Sequence, residues 1–184
     1  MKVINLRCEY MIDPIGIDSI HPRVSWNDEG CEKQKAFEVS WQVNDGERKV
    51  RKVDSDQMFF IIPDEMHSRD IINWGVRIFD EGNNVSETSE AHFEMGLLNG
   101  KDFTGKWISG NYLVDKKQRY PVDCFKKEFT AGQIKKARLY ASACGLYEIS
   151  INGKKCGEAV FTPGSTDYTK RIQYQSYDVT QLLK

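Results

Sequence analysis

A chain of 184 residues with 40% hydrophobic and 11% aromatic content can bury one large core or two small ones, which excludes a disordered protein. Its 26 basic and 27 acidic residues leave a net charge of −1, so nothing electrostatic draws it to nucleic acid or to an anionic membrane. No apolar run approaches the roughly 20 residues that a membrane-spanning helix requires.

The opening stretch, MKVINLRCEYMIDPIG, breaks its apolar run with Asn5, Arg7, Glu9 and Asp13. It lacks the uninterrupted core of a signal peptide, and a cytoplasmic location is the expectation. From there the first half alternates short strands with turn signals, and strands are predicted over 3–10, 23–27, 36–43, 58–62, 72–80 and 91–98. The densest basic run, ERKVRKVD, holds Arg48, Lys49, Arg51 and Lys52 but is short and flanked by acids, so it reads as a solvated strand or hairpin. Ile72, Trp74, Val76 and Ile78 alternate with Asn73, Gly75, Arg77 and Phe79, the period of a strand with one face in a core. Residues 80–84 supply the turn after it. Strands at this spacing, with almost no helix-period segment, predict an all-β fold that begins with an antiparallel sandwich of roughly 100 residues.

Residues 99–105 are polar and glycine-bearing, which predicts a unit at 1–98, a linker at 99–106 and a second unit at 107–184. Trp107 and Ile108 open the second unit, a mostly polar stretch covers 111–119, and a strand is predicted over 124–129 with Phe125, Lys127 and Phe129 on one face. The stretch LYEISINGKKCG alternates apolar and polar residues into Asn152-Gly153, the pair that favours a two-residue hairpin turn with positive φ at both positions. Ile172, Tyr174 and Ser176 share the face of a last strand, and 177–180 read as a turn into Leu182 and Leu183. The second unit has few strands for a sandwich of its own, and its last leucines have nothing after them to pack against; a continuation is the expectation. There is no internal repeat of fixed period.

The search for chemistry is sparse. Cys8, Cys31, Cys124, Cys144 and Cys156 are odd in number and widely spaced, without the spacing of a zinc site, so reduced and mostly buried thiols are expected. His21, His67 and His92 stand far apart with no ligand at metal-binding spacing. Glycine-rich phosphate loops and a serine elbow are absent. The run DEGNNVSE has its glycine third rather than sixth and reads as a hairpin turn, not a calcium loop; Asn84-Val85-Ser86 within it fits a glycosylation acceptor by chance. Carboxylates are plentiful, but no Asp and Glu can be placed across a cleft from one sequence. Tyr112, Tyr120, Tyr147, Tyr168, Tyr174 and Tyr177 could lie against sugar rings, although alternating tyrosines in a half-buried sheet usually pack. No catalytic, cofactor-binding or metal-ligating residue is therefore assigned, and no cofactor is expected.

Two stretches carry a resemblance. INLRCEYMIDPIGIDSIHPRVSW (4–26) and ARLYASACGLYEISINGKKCGEAVFTPGSTDYTKRIQYQSYDVTQLLK (137–184) resemble the N-terminal region of bacterial α-L-rhamnosidases, an inverting glycoside hydrolase family. HFEMGLL (92–98) and GKWISG (105–110) resemble the junction between that family's first two domains. The resemblance implies a fibronectin-III-like or immunoglobulin-like sandwich followed by the start of a jelly-roll, galactose-binding-like accessory domain. It also implies that the acid and base carboxylates lie in an (α/α)6 barrel several hundred residues further on, so no catalytic residue carries over to this chain. Two departures stand out: Ser165 follows Thr162-Pro163-Gly164 where many relatives have tryptophan, and Thr88-Ser89 stands where Trp-Ser is frequent. Both remove a ring that could hold a sugar.

Three roles follow as expectations. The first is the non-catalytic N-terminal portion of an α-L-rhamnosidase, with the catalytic barrel as partner and the Asn152-Gly153 hairpin shaping the accessory domain. The second is a stand-alone carbohydrate-binding module for rhamnose-containing glycans. The third is an interaction module that completes an unpaired sheet edge with another chain, for instance as a homodimer.

Overall fold

The computed structural model describes residues 1–113, 115 and 117–183. Val114 and Lys116, in the polar stretch expected over 111–119, and Lys184, at the end of the expected second unit, lie outside the described residues.

Residues 1–98 form two facing sheets. One contains β1 (Lys2–Cys8), β3 (Arg23–Glu29) and β6 (Phe59–Ile61) in the order β1-β3-β6. The other runs β2-β8-β7-β4-β5, from β2 (Ile15–Ile17), β4 (Gln34–Val43), β5 (Lys49–Val53), β7 (Ile71–Asp80) and β8 (Ser89–Met95). All pairings are antiparallel except β2 with β8. The six predicted strands of this half are present with ends shifted by a few residues. The run read as a solvated strand is β5, an edge strand whose lysines and arginine discourage pairing with another chain. The three-residue β2 carries too few residues for a periodic signal and was not predicted. It exists because the chain leaves the first sheet after β1 and crosses to the second, a bend that takes Glu9, Tyr10 and Asp13 to φ of 45°, 70° and 41°.

The core lies between the sheets. Ile72, Trp74, Val76 and Ile78 on β7 are all fully buried, as their alternation predicts. Trp26, Phe37, Phe60 and Trp41 join the same core, Trp26 edge-on to Phe37 with centroids 4.9 Å apart and Trp41 tilted on Phe60 at 5.6 Å. After β7 the Asp80 carboxylate accepts from the Asn84 backbone N–H at 2.8 Å and its amide at 2.7 Å, which closes the turn expected over 80–84.

The second half is also built of strands. β9 (Arg138–Ser142) pairs antiparallel with β12 (Tyr174–Asp178), and β10 (Ser150–Ile151) pairs with β11 (Lys154–Lys155). Asn152 and Gly153 join the latter pair at φ of 50° and 77°, the predicted turn geometry. Two predictions need correction. Residues 124–129 form no strand: Phe125 and Phe129 are more than half exposed, and without a partner ladder an alternating pattern has nothing to bury its face against. Tyr177 and Asp178 belong to β12, whose pairing with Leu139 and Arg138 extends the ladder past the expected turn; Ile172 falls outside the strand.

Candidate functional site

The densest polar geometry lies where β8 meets the second half. Glu94 is on the outer face of β8, yet it is only 8% exposed because residues 136–138 cover it. Its carboxylate receives Arg138 Nε at 2.9 Å and Nη2 at 2.6 Å, and Lys136 Nζ at 2.7 Å. Arg138 Nη1 reaches Asp178 at 2.8 Å. Burial works to raise the Glu94 carboxyl, but the hydrogen bonds from Arg138 and Lys136 outweigh it and hold the group below its ordinary range. The same pairing drives the Arg138 guanidinium up.

Close backbone packing completes the seam. The Tyr174 hydroxyl accepts from the Leu97 N–H at 2.6 Å. Gly16 and Gly96 lie beneath β12, where a side chain on Gly16 would meet Ser176 Oγ at 2.8 Å, so only glycine leaves room for this approach. Ser68 donates to the Asp102 carboxylate, and Arg69 donates to the Asp102 carbonyl at 2.9 Å. A groove of about 420 Å³ opens beside these contacts, lined among others by Arg69, Phe103, Trp107, Ile108, Arg138 and Tyr140. One wall is β9, which has a strand neighbour on one side only among the described residues.

The six tyrosines do not converge on one platform. Tyr174 packs edge-on against Phe103 and Tyr140, both at 6.2 Å. Tyr147 and Tyr177 share a hydrogen bond at 3.0 Å, and burial pushes the Tyr147 phenol well up. Tyr112 and Tyr120 stack at 4.8 Å, and Tyr168 stands exposed and apart. The histidines are equally separate: His21 meets the Asp64 carbonyl at 3.3 Å, His67 lies 3.6 Å from Asp70, and His92 lies 3.5 Å from Asp13. Among the described residues no group of three His, Cys, Asp or Glu could hold a metal ion. All five cysteines are free; Cys8 and Cys156 are buried, Cys124 and Cys144 are exposed, and burial, aided by Glu9, pushes the Cys8 thiol up to about 12. Every carboxyl displaced among the described residues is displaced downward: Asp64, Asp80, Glu81, Glu94, Asp167 and Asp178.

A second concavity lies on the outer face of the five-stranded sheet, a recess of about 370 Å³ walled by Gln42, Arg48, Asn73, Glu90 and His92. Neither the seam nor this recess is visible in the sequence as a motif. Gly75, in the interior of β7, makes room for the side chains of Arg48, Thr88 and Glu90, which a Cβ there would crowd.

Fold and seam together define a β scaffold in which the buried Glu94 carboxylate ties β8 to Lys136 and Arg138. The comparisons place it. The family model described as "Rha78A-like, N-terminal immunoglobulin domain" matches residues 3–99, and "Alpha-L-rhamnosidase N-terminal domain" matches residues 132–184. The chain belongs to this family and corresponds to the N-terminal region of α-L-rhamnosidases. An α-L-rhamnosidase of Alteromonas sp. (strain LOR) is 28% identical over 196 residues, covering 95% of this chain and 21% of the relative. Solved α-L-rhamnosidases from Dictyoglumus thermophilum and Aspergillus terreus match all of this chain at TM-scores of 0.80 and 0.74, with 29% and 25% identity, over 24% and 22% of their own lengths. The chain thus spans about a fifth of the length of the curated relatives it matches end to end.

Proposed function

We propose that this chain acts as the N-terminal, non-catalytic portion of an α-L-rhamnosidase, with residues 1–98 and 107–184 as two units joined by 99–106. The full-length enzyme would remove terminal α-L-rhamnose with inversion, one carboxylic acid protonating the leaving oxygen while a carboxylate activates water. Those groups would sit in an (α/α)6 barrel outside these residues, and none of the side chains described above is assigned to catalysis. The observation that carries this reading is the seam. It commits the buried carboxylate of Glu94 to Lys136 and Arg138 and so fastens the second unit to the first, as suits a buttress for a larger catalytic body. A reduced, cytoplasmic setting suits the five free thiols. Incubation of the purified chain with an aryl α-L-rhamnoside tests the assignment: no release above blank is expected, and clear turnover would overturn it.

The one-sided β9 edge favours a second reading, in which the sheet is extended by a strand from another chain, for instance in a homodimer. Light scattering across a dilution series decides this: a mass that doubles with concentration supports pairing, and a constant monomer mass removes it.

A further inference from the structure

Among the described residues, 107–184 bring no side chain to the hydrophobic core, which is drawn from residues 3–98. Their large apolar groups lie open instead: Trp107 is 64% exposed, Ile108 68%, Phe125 55% and Phe129 65%. Apolar surface exposed on this scale marks a contact face. It has a backbone edge beside it. Val179 donates its N–H to the Ala137 carbonyl, so by the alternation of an antiparallel ladder Leu139 and Ala141 also bond to β12, while Arg138, Tyr140 and Ser142 turn their N–H and C=O groups outward. That edge runs along the groove of about 420 Å³, which Trp107 and Ile108 also line. A strand laid there gains main-chain hydrogen bonds from β9 and seats alternate side chains in the groove.

The chain also carries a strand pattern without a ladder. In CFKKEF (124–129), Phe125, Lys127 and Phe129 alternate with Cys124, Lys126 and Glu128, yet among the described residues the backbone of this segment has no partner. The five residues from Phe125 to Phe129 span about 13 Å when extended, and so do the five of β9. On the face opposite the two rings, Lys126 and Glu128 already pair at 2.7 Å and bring no net charge to a contact.

We infer that two copies of the chain associate by exchanging this strand: 124–129 of each copy adds antiparallel to β9 of the other, and Phe125 and Phe129 enter the groove beside Trp107 and Ile108. The inference rests on the reading of β9 as an edge that another chain completes, and it names that chain and the strand it contributes. The available area is sufficient. Phe125, Phe129 and Trp107 are each more than half exposed, so at about 150–250 Å² for a whole aromatic side chain each offers on the order of 100 Å². Two reciprocal insertions bury roughly 600 Å² from these rings alone. Ile108 and the backbone of the two added strands bring the total to the roughly 1,000 Å² that a specific interface needs.

The test uses the two exposed thiols that antiparallel addition brings together, Cys124 at the start of the strand and Cys144 just past β9. An equal mixture of isotopically light and heavy chain is treated with a short bismaleimide, its linked peptides are read by mass spectrometry, and the mass in solution is followed by light scattering. The expected result is a dimer with Cys124 of one copy linked to Cys144 of the other. Phe125→Ser combined with Phe129→Ser changes two rings that are open in the single chain, so its fold should stay intact while the dimer dissociation constant rises at least about tenfold. A constant monomer mass overturns this inference and the edge reading together. A dimer whose Cys124–Cys144 links form only within one copy, or whose stability the double substitution leaves unchanged, overturns the exchange alone and leaves β9 pairing with a different segment.

Discussion

Gln34, only 3% exposed on β4, accepts from Trp26 Nε1 at 3.2 Å and donates to the carbonyls of Ser55 and Gln57 at 3.1 and 2.8 Å. One amide therefore satisfies an indole N–H inside the core and ties the loop between β5 and β6 to the sheet. Gln34→Ala leaves three groups to find other partners, each worth about 1–3 kcal/mol if it stays buried, so a loss of about 3 kcal/mol is expected. Urea unfolding should show it as a lower midpoint at unchanged slope. The exposed pair Lys33–Glu81, one residue away at 2.6 Å, is solvated on both sides. Removing it should leave the midpoint where it was, because surface ion pairs contribute little. Trp74 shows the contrasting arrangement, a fully buried indole whose N–H has no partner among the described residues.

At the scale of elements, the β10–β11 hairpin isolates a backbone effect from packing. A Cβ on Gly153 would meet nothing within 4 Å, so any cost of Gly153→Ala comes from holding an L-residue at φ of 77°. That cost is about 1 kcal/mol, readable as a shifted denaturation midpoint with the rest of the fold unchanged. The hairpin also has a tertiary tie, since the Asn152 amide donates to the Leu182 carbonyl at 2.8 Å. Thus a turn that is chosen locally also anchors the short helical turn Thr180–Leu182. Apolar alternation alone does not secure an element: 124–129 has the pattern of a strand and lacks the partner.

For the whole molecule, the decisive contact is Glu94 with Arg138 and Lys136. Glu94→Ala leaves a mostly buried guanidinium with Asp178 as its only carboxylate among the described residues, and breaking a pair of this kind costs about 3 kcal/mol. The second unit should loosen while the first core stays intact, so proteolysis within 99–106 should accelerate before the tryptophan fluorescence of the first unit changes. Acid should act in the same direction. The folded Glu94 carboxyl titrates below its ordinary value of 4.5, so the seam's contribution is intact above that value. It is lost as the pH falls through the lower folded value, because the unfolded chain takes up its proton first. Proteolysis rates measured from pH 6 downward should therefore rise only below about 4.5 in the native chain, and Glu94→Gln should remove that step.

What the sequence determined by itself is what local rules decide. Alternation along Ile72 to Ile78 selects the inward face of β7, Asn152-Gly153 selects a turn with positive φ, and the acids around Arg48 to Lys52 mark a solvated strand or hairpin. These signals are carried by neighbours a few residues apart, so one chain read in order contains them. Only the tertiary structure decided the rest. Glu94 has the strand position of a solvent-facing carboxylate and is buried because residues more than forty positions away close over it. The recess on the outer face of the five-stranded sheet exists because β4, β7 and β8 bring Gln42, Asn73 and His92 side by side. Burial and charge pairing at such places depend on which distant surfaces meet, and a one-dimensional pattern records each side of that meeting without recording that they meet.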